Sequence, residues 1–394
     1  MSATASRLTL YANVGPELFH YDVDVDSGTL ERRGSVMLPA NVQYAWPHAS
    51  RRFLYVATSD GASGVGAAGS NHHLNALRID PASGALTLLG EPVALPSRPI
   101  HMTTDIPSEY ALVAFNNPSA LRVYRISPDG SPGAEVTQPE PVDAGIFAHQ
   151  VRVSRDNRHV ILVARGFDAE EGKPEQPGSL KLFEYVGGTL RNEASIAPNG
   201  GYGFGPRHLD FHPARPWVYV SLERQNALDL FTLDNGRLSP DPLFRKNTLA
   251  RPDERPGRQV VSTVHVHPNG RFVYVANRAS DSTLLNGERV FAGGENSVAV
   301  FAIDPASGEP NLLQIEDSRG IHPRTFHIDP SGRLLVVAHI MGLKVRDGDG
   351  LREVPARLSV FRIGEDGRLS FLRAYDVPVG NRTIWWMGMV DQVS

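Results

Sequence analysis

The chain has 394 residues, with 39 Lys and Arg against 43 Asp and Glu, for a net charge of −4 with the two signs interspersed. That balance argues against a nucleic-acid binder, and no apolar run approaches the length of a membrane span. The absence of cysteine excludes disulfides, thiol catalysis and thiolate metal sites.

In chain order, the first segments with strand character are LTLYANVG, LFHYDVDVDSG and TLERRGSV. A cassette then begins to repeat. It appears as VQYAWPHASRRFLYVATSDG from Val42, HMTTDIPSEYALVAFNN from His101, HQVRVSRDNRHVILVARG from His149 and RHLDFHPARPWVYVSLERQN from Arg207. The copy HVHPNGRFVYVANR runs from His265, and RTFHIDPSGRLLVVAHI from Arg324. Each copy is followed by a third apolar strand, such as LNALRID, LDLFTLD, SVAVFAID or LSVFRIG. Branched and aromatic residues fill the strands because they suit a half-buried pleat. Asn, Asp, Pro and Gly stand at the turns because they supply fixed or positive φ. A period of roughly 40 to 60 residues is that of propeller blades with four strands each.

The six cassettes make six blades. The N-terminal strands form three quarters of a seventh, and the apolar C-terminal segment NRTIWWMGMV completes it, which removes the open sheet edges. The expectation is an all-β protein: one domain over residues 1–394, a seven-bladed β-propeller of four-stranded antiparallel blades. Its ring is closed by the C-terminal strand joining the N-terminal blade. The start, MSATASRLTLYANVG, lacks the apolar core of a signal peptide, so a cytoplasmic location is expected. The expected oligomeric state is a monomer or weak homo-oligomer.

Strand order within a blade sorts the connections by face. Turns between strands one and two and between three and four (HPNG, HPAR, DPSG, DPASG) are short and share one face. The long insertions 61–71, 167–178, 284–295 and 341–356 fall on the other, which reads as a mouth over the central channel. Binding sites favour long loops on a rigid scaffold. Side chains at the start of each innermost strand and the end of each second strand should reach that mouth. They are His101, Asn116, His149, Arg165, Arg207, His208, Glu223, Arg278, Arg324 and His339. Several arginines and histidines around one carboxylate suit a small anionic molecule, since guanidinium forks bind carboxylate or phosphate in pairs of bonds. Glu223 and His149 are the proton-transfer candidates.

At GPRH (205–208), the E-x-x-N of Glu223 and Asn226, GRFVYVANR (270–278) and HPR (322–324), the chain resembles the seven-bladed lactonase family. That family includes propeller-type 6-phosphogluconolactonases and fungal carboxy-muconate lactonising enzymes. The resemblance covers nearly the full length and implies a catalytic set of His149, Arg207, Glu223 and Arg278, with no cofactor or metal. His101, Asn116, Arg165, His208, Arg324 and His339 are then substrate-binding. Two departures stand at the mouth: Ala164-Arg165-Gly166 replaces the family's usual aspartate-leucine-glycine, and a histidine, His339, stands near the usual asparagine of the last blade.

The leading expectation is therefore opening of a small carboxylated or phosphorylated lactone. Arg207 and Arg278 would hold the anionic group and the developing oxyanion, with Glu223 or His149 activating water. The alternatives are a lactonising cycloisomerase acting on a muconate-like substrate, and a non-catalytic propeller scaffold. Other motifs are weaker. GYGFGPRH lacks the helix a phosphate loop needs, and no G-x-S-x-G elbow is present. Asn71-His72-His73 reads as a polar loop tip rather than a metal site, and Asp347-Gly348-Asp349-Gly350 as a turn rather than a calcium loop.

Overall fold

The computed structural model describes residues 7–64, 66–254 and 257–392. It is all β apart from one turn of 3-10 helix at Pro198–Gly201. Seven antiparallel sheets follow one another along the chain. The first is built from Arg7–Val14, Glu17–Asp24 and Thr29–Met37, with Met387–Gln392 as its innermost strand. The C-terminal strand pairs with the first strand from Arg7↔Gln392 to Ala12↔Met387, so the ring closes as expected. The other six blades have innermost strands Asn41–Pro47, Pro99–Thr104, Ala148–Val153, Pro206–Phe211, Gln259–Val266 and Pro323–Ile328.

Seven apolar clusters fill the seven gaps between adjacent blades. One of them joins Leu334, Val336 and Val360 of the last blade to Leu8, Leu10 and Met389 of the first, so the seam is packed like every other joint. Polar latches reinforce the apolar contacts. A tyrosine in the second strand donates its hydroxyl hydrogen to a turn glycine of the next blade four times: Tyr11 to Gly84, Tyr55 to Gly130, Tyr219 to Gly308 and Tyr274 to Gly367, at 2.8–3.0 Å. These glycines have φ of +72° to +90°, which turns their carbonyls toward the preceding blade at a position where a side chain would be strained. The turn histidines add a second latch, with His212 and His267 bonding the Gly270 and Gly332 carbonyls of the following blade.

The structure departs from the sequence reading in three places. Two of the four long insertions are not loops: Ser282–Leu285 with Glu288–Phe291, and Leu343–Asp347 with Gly350–Val354, form hairpins. These meet side by side at Val290↔Lys344 in a small eighth sheet outside the ring. Residues 347–350 are the turn of the second hairpin. His72 and His73 are not a loop tip either. They open the strand His72–Ile79, and His72 is buried against the Ser59 hydroxyl at 2.8 Å. No group of three metal-ligating side chains is gathered among the described residues. No helix among them is long and apolar enough to cross a membrane.

Candidate active site

The innermost strands share one irregularity that builds the site. In six blades the pairing with the second strand skips a residue near the start of the innermost strand. The extra residue is Gln43, Ile100, His149, Arg207, the pair Ser262-Thr263, and Arg324, taking the blades in order. A bulge of this kind leaves one residue outside the ladder and re-aims its side chain. Three of the arginines and histidines marked out by the sequence are bulge residues, and the bulge delivers them to the mouth side of the channel.

The cavity there has a volume of about 620 Å³. Its walls carry Arg98, Arg165, Arg258, Arg278 and Arg324 against three carboxylates, Glu223, Asp168 and Glu170. Asn116, His149, His322, Phe147, Phe167 and Trp385 complete most of the lining. The loops 61–71 and 167–178 contribute Ser63, Gly64, Phe167, Asp168 and Glu170, whereas the two hairpins of the eighth sheet contribute nothing to it. Arg224 fastens the second loop through Asp168 at 3.0 Å and Glu175 at 3.3 Å.

Glu223 is the hub. Its side chain is 5% exposed, and Arg165 donates to Oε2 at 2.6 Å while Arg278 donates to Oε1. Arg207, 1% exposed, brings its Nε to 3.3 Å from Oε1. Burial alone would raise the Glu223 pKa, but the combined field of Arg278, Arg165 and Arg207 overcomes it and holds the carboxyl well below its usual range. Arg278 also donates to His322 Nε2 at 2.7 Å, which leaves the ring hydrogen of that histidine on Nδ1. Burial and the nearby arginines push His149 and His322 well below the ordinary imidazole value, so both are neutral at pH 7. Arg207 is lowered to about 9, first by burial and then by the neighbouring Arg278 charge, and remains a cation. Phe147 and His322 both line the cavity with positive φ, +56° and +57°. Backbone of that kind collects at functional sites. The Phe147 ring lies 4.6 Å beneath the Arg165 guanidinium and steadies it.

Of the ten residues singled out in the sequence, Asn116, His149, Arg165, Glu223, Arg278 and Arg324 line the cavity. Arg207 stands behind Glu223 rather than in the wall. His101 and His208 do not reach the mouth. They follow the bulge residues of their strands and fill the channel below, with His208 5.8 Å from His101 and 5.3 Å from His149, and Tyr44 3.8 Å from His101. His339 is also out of the cavity. It is fully buried between blades, bonded to the Arg357 carbonyl at 3.2 Å and the Ser318 hydroxyl at 3.0 Å. Sequence reasoning passed over Arg98, His322 and Trp385. His322 lies in the HPR motif already noted, and Trp385 belongs to the WW pair just before the closing strand. Arg98 precedes its strand by one residue and gave no signal.

A family model described as "Lactonase, 7-bladed beta-propeller" matches residues 8–345, and the chain belongs to that family. It is thus an enzyme of the lactone-hydrolase class. The 6-phosphogluconolactonase of Bacillus subtilis (strain 168) is 26% identical over 340 residues, covering 84% of this chain and 86% of its own. That of Cronobacter sakazakii (strain ATCC BAA-894) is 24% identical over 355 residues, covering 89% and 93%. Among solved structures, the periplasmic gluconolactonase of Pseudomonas aeruginosa matches with a TM-score of 0.70 at 22% identity, over 98% of this chain and 99% of that one.

Proposed function

We propose that this protein hydrolyses a small anionic lactone of the 6-phosphogluconolactone type at the cavity around Glu223. The observation that carries the reading is the excess of arginine there, five in the wall and Arg207 behind it, over three carboxylates. An uncharged substrate would leave that excess without a counter-ion.

The protonation states favour distinct roles for the two proton-transfer candidates. Glu223 is ionised and already accepts from two guanidinium groups, so it serves as the fixed anion that holds Arg165 and Arg278 in place. His149 is neutral and lines the cavity, and its Nδ1 is buried without a hydrogen-bond partner among the described residues. It takes a proton from water as the water oxygen adds to the lactone carbonyl carbon. Arg278 and Arg165 donate to the oxyanion that forms, which is charge stabilisation of the oxyanion-hole kind. Glu223 stabilises the imidazolium. The ring C–O bond then breaks, and the His149 proton passes to the departing ring oxygen, giving the hydroxy acid. The lactonising direction needs an acid that delivers a proton to carbon. With Glu223 ionised and His149 neutral at pH 7, neither supplies one, which favours hydrolysis.

The test is ring opening of phosphorylated and carboxylated lactones, followed by acid release with a pH indicator, for the native protein and a His149→Gln variant. The native protein should accelerate opening, and the variant should lose on the order of 10²- to 10⁴-fold in kcat. No acceleration on any anionic lactone would overturn the reading.

A further inference from the structure

Two of the cavity arginines differ from the rest in having no carboxylate partner. Arg165, Arg278 and Arg207 all converge on Glu223. Among the described residues Arg98 and Arg324 take part in no ion pair, and Arg324 donates to the Trp385 carbonyl, at 3.2 Å from Nε. Arg98 is 5% exposed, and its Nε and one terminal nitrogen are buried without any hydrogen-bond acceptor. Both guanidinium groups stand over the same indole, Trp385, at 3.6 Å for Arg324 and 5.6 Å for Arg98. Burying two like charges side by side without a counter-ion is costly. Cation–π contact with the indole offsets only part of that. The pair therefore presents unpaired positive charge to the cavity, Arg98 by itself and Arg324 within the field of Arg207, Arg278 and Glu223.

We infer that Arg98 and Arg324, mounted on Trp385, form a dianion subsite that takes the phosphate of a phosphorylated lactone and selects the substrate by that charge. Two uncompensated positive charges match a phosphate monoester, which carries about −1.5 to −2 at neutral pH, better than a single carboxylate. The guanidinium pair also presents the planar forks suited to phosphate oxygens. Trp385 fixes where the forks stand, so the distance from this subsite to His149 and Arg278 sets how far the phosphate lies from the lactone carbonyl. The subsite deepens the ring-opening reading and rests on it for the identity of the ligand, although anion binding itself does not.

The test uses Arg98→Met, which keeps the length of the side chain's apolar stem and removes the charge. In phosphate-free buffer the melting temperature of the variant should be at or above that of the native protein, because an unpartnered buried charge has gone. Inorganic phosphate should raise the melting temperature of the native protein and raise that of the variant by less. On 6-phosphogluconolactone against unphosphorylated gluconolactone, the ratio of kcat/KM values should fall roughly 10- to 100-fold, the loss expected for one charge-assisted bidentate contact. Arg98→Lys should recover part of that ratio. A variant that melts lower and loses both lactones equally would make Arg98 a structural strut and overturn the proposal. Full retention of phosphate stabilisation would do the same. If the native protein opens neither lactone, the ring-opening reading fails, and the phosphate melts still decide the subsite.

Discussion

Replacing Glu223 by glutamine removes the buried anion on which two buried cations, Arg207 and Arg278, and the partly exposed Arg165 converge. At an effective dielectric constant of about 20, the contacts at 2.6 and 3.3 Å are each worth about 5 to 6 kcal/mol before desolvation is counted. Burying the carboxylate opposes that attraction. Arg207 and Arg278 are themselves lowered, first by burial and then by neighbouring arginine charges, so the cluster holds no large surplus of stability. What the substitution exposes is the mutual repulsion of Arg165, Arg207 and Arg278. Removing one partner of a buried ion pair costs about 3 to 5 kcal/mol. An unfolding entropy of about 2.1 cal/mol/K per residue makes that about 4 to 6 °C in a chain of this length.

The pH dependence supplies a sharper check. The Glu223 carboxyl is depressed in the folded protein, so its contribution is fully present above the ordinary carboxylate range and is lost as the pH falls through that range to the folded value. The stability gap between native and Glu223→Gln proteins should therefore be widest near pH 7 and close in acid. Thermal melts in phosphate-free buffer across pH 7 to 3 measure it. Equal melting temperatures at pH 7, or a gap indifferent to pH, would refute the placing of Glu223 as the counter-ion of the three arginines.

Two further outcomes follow from the same geometry. Burial and then the Arg207 charge lower the His149 pKa, so the neutral base persists into acid, and the acid limb of kcat/KM should have its midpoint below pH 6.5. The limb of kcat, measured with anionic substrate bound, should lie higher, because the bound anion offsets the arginine field; a kcat/KM midpoint at or above 6.5 would contradict His149 as the base. Tyr219→Phe and Tyr274→Phe should each destabilise the ring by about 1 kcal/mol, read in urea titrations with ring opening unaltered, since each hydroxyl serves only a glycine carbonyl of the next blade.

The ring was legible because each blade repeats the same local decisions. A turn with Pro, Asn or Gly and strands of branched and aromatic residues recur until the closing strand is the piece left over. Repetition averages away the ambiguity of any one segment. The mouth was legible only as far as strand ends locate side chains. Position at a strand start assigned His101 and His208 to the mouth alongside His149 and Arg207, yet in these blades the bulge puts an extra residue into the innermost strand near its start. The residue after the bulge packs down into the channel instead. Nothing in the local composition announces such a bulge, because it arises where four-stranded sheets are forced to converge on a common axis. His339 misled for a related reason: the end of its strand is pinned under the Gly320 turn, so its ring meets Ser318 and not the cavity. Arg98 and Trp385 were beyond reach for another cause. They lie far apart in the sequence, Arg98 just before the strand Pro99–Thr104 and Trp385 just before the closing strand, and meet only after the ring has closed. The residues of the proposed phosphate subsite are thus partly placed by ring closure, and a substitution that loosens the seam at Asn13, whose side-chain oxygen accepts the backbone N–H groups of Trp385 and Trp386 at 3.0 and 2.8 Å, would disturb selectivity before it disturbed the Glu223 hub.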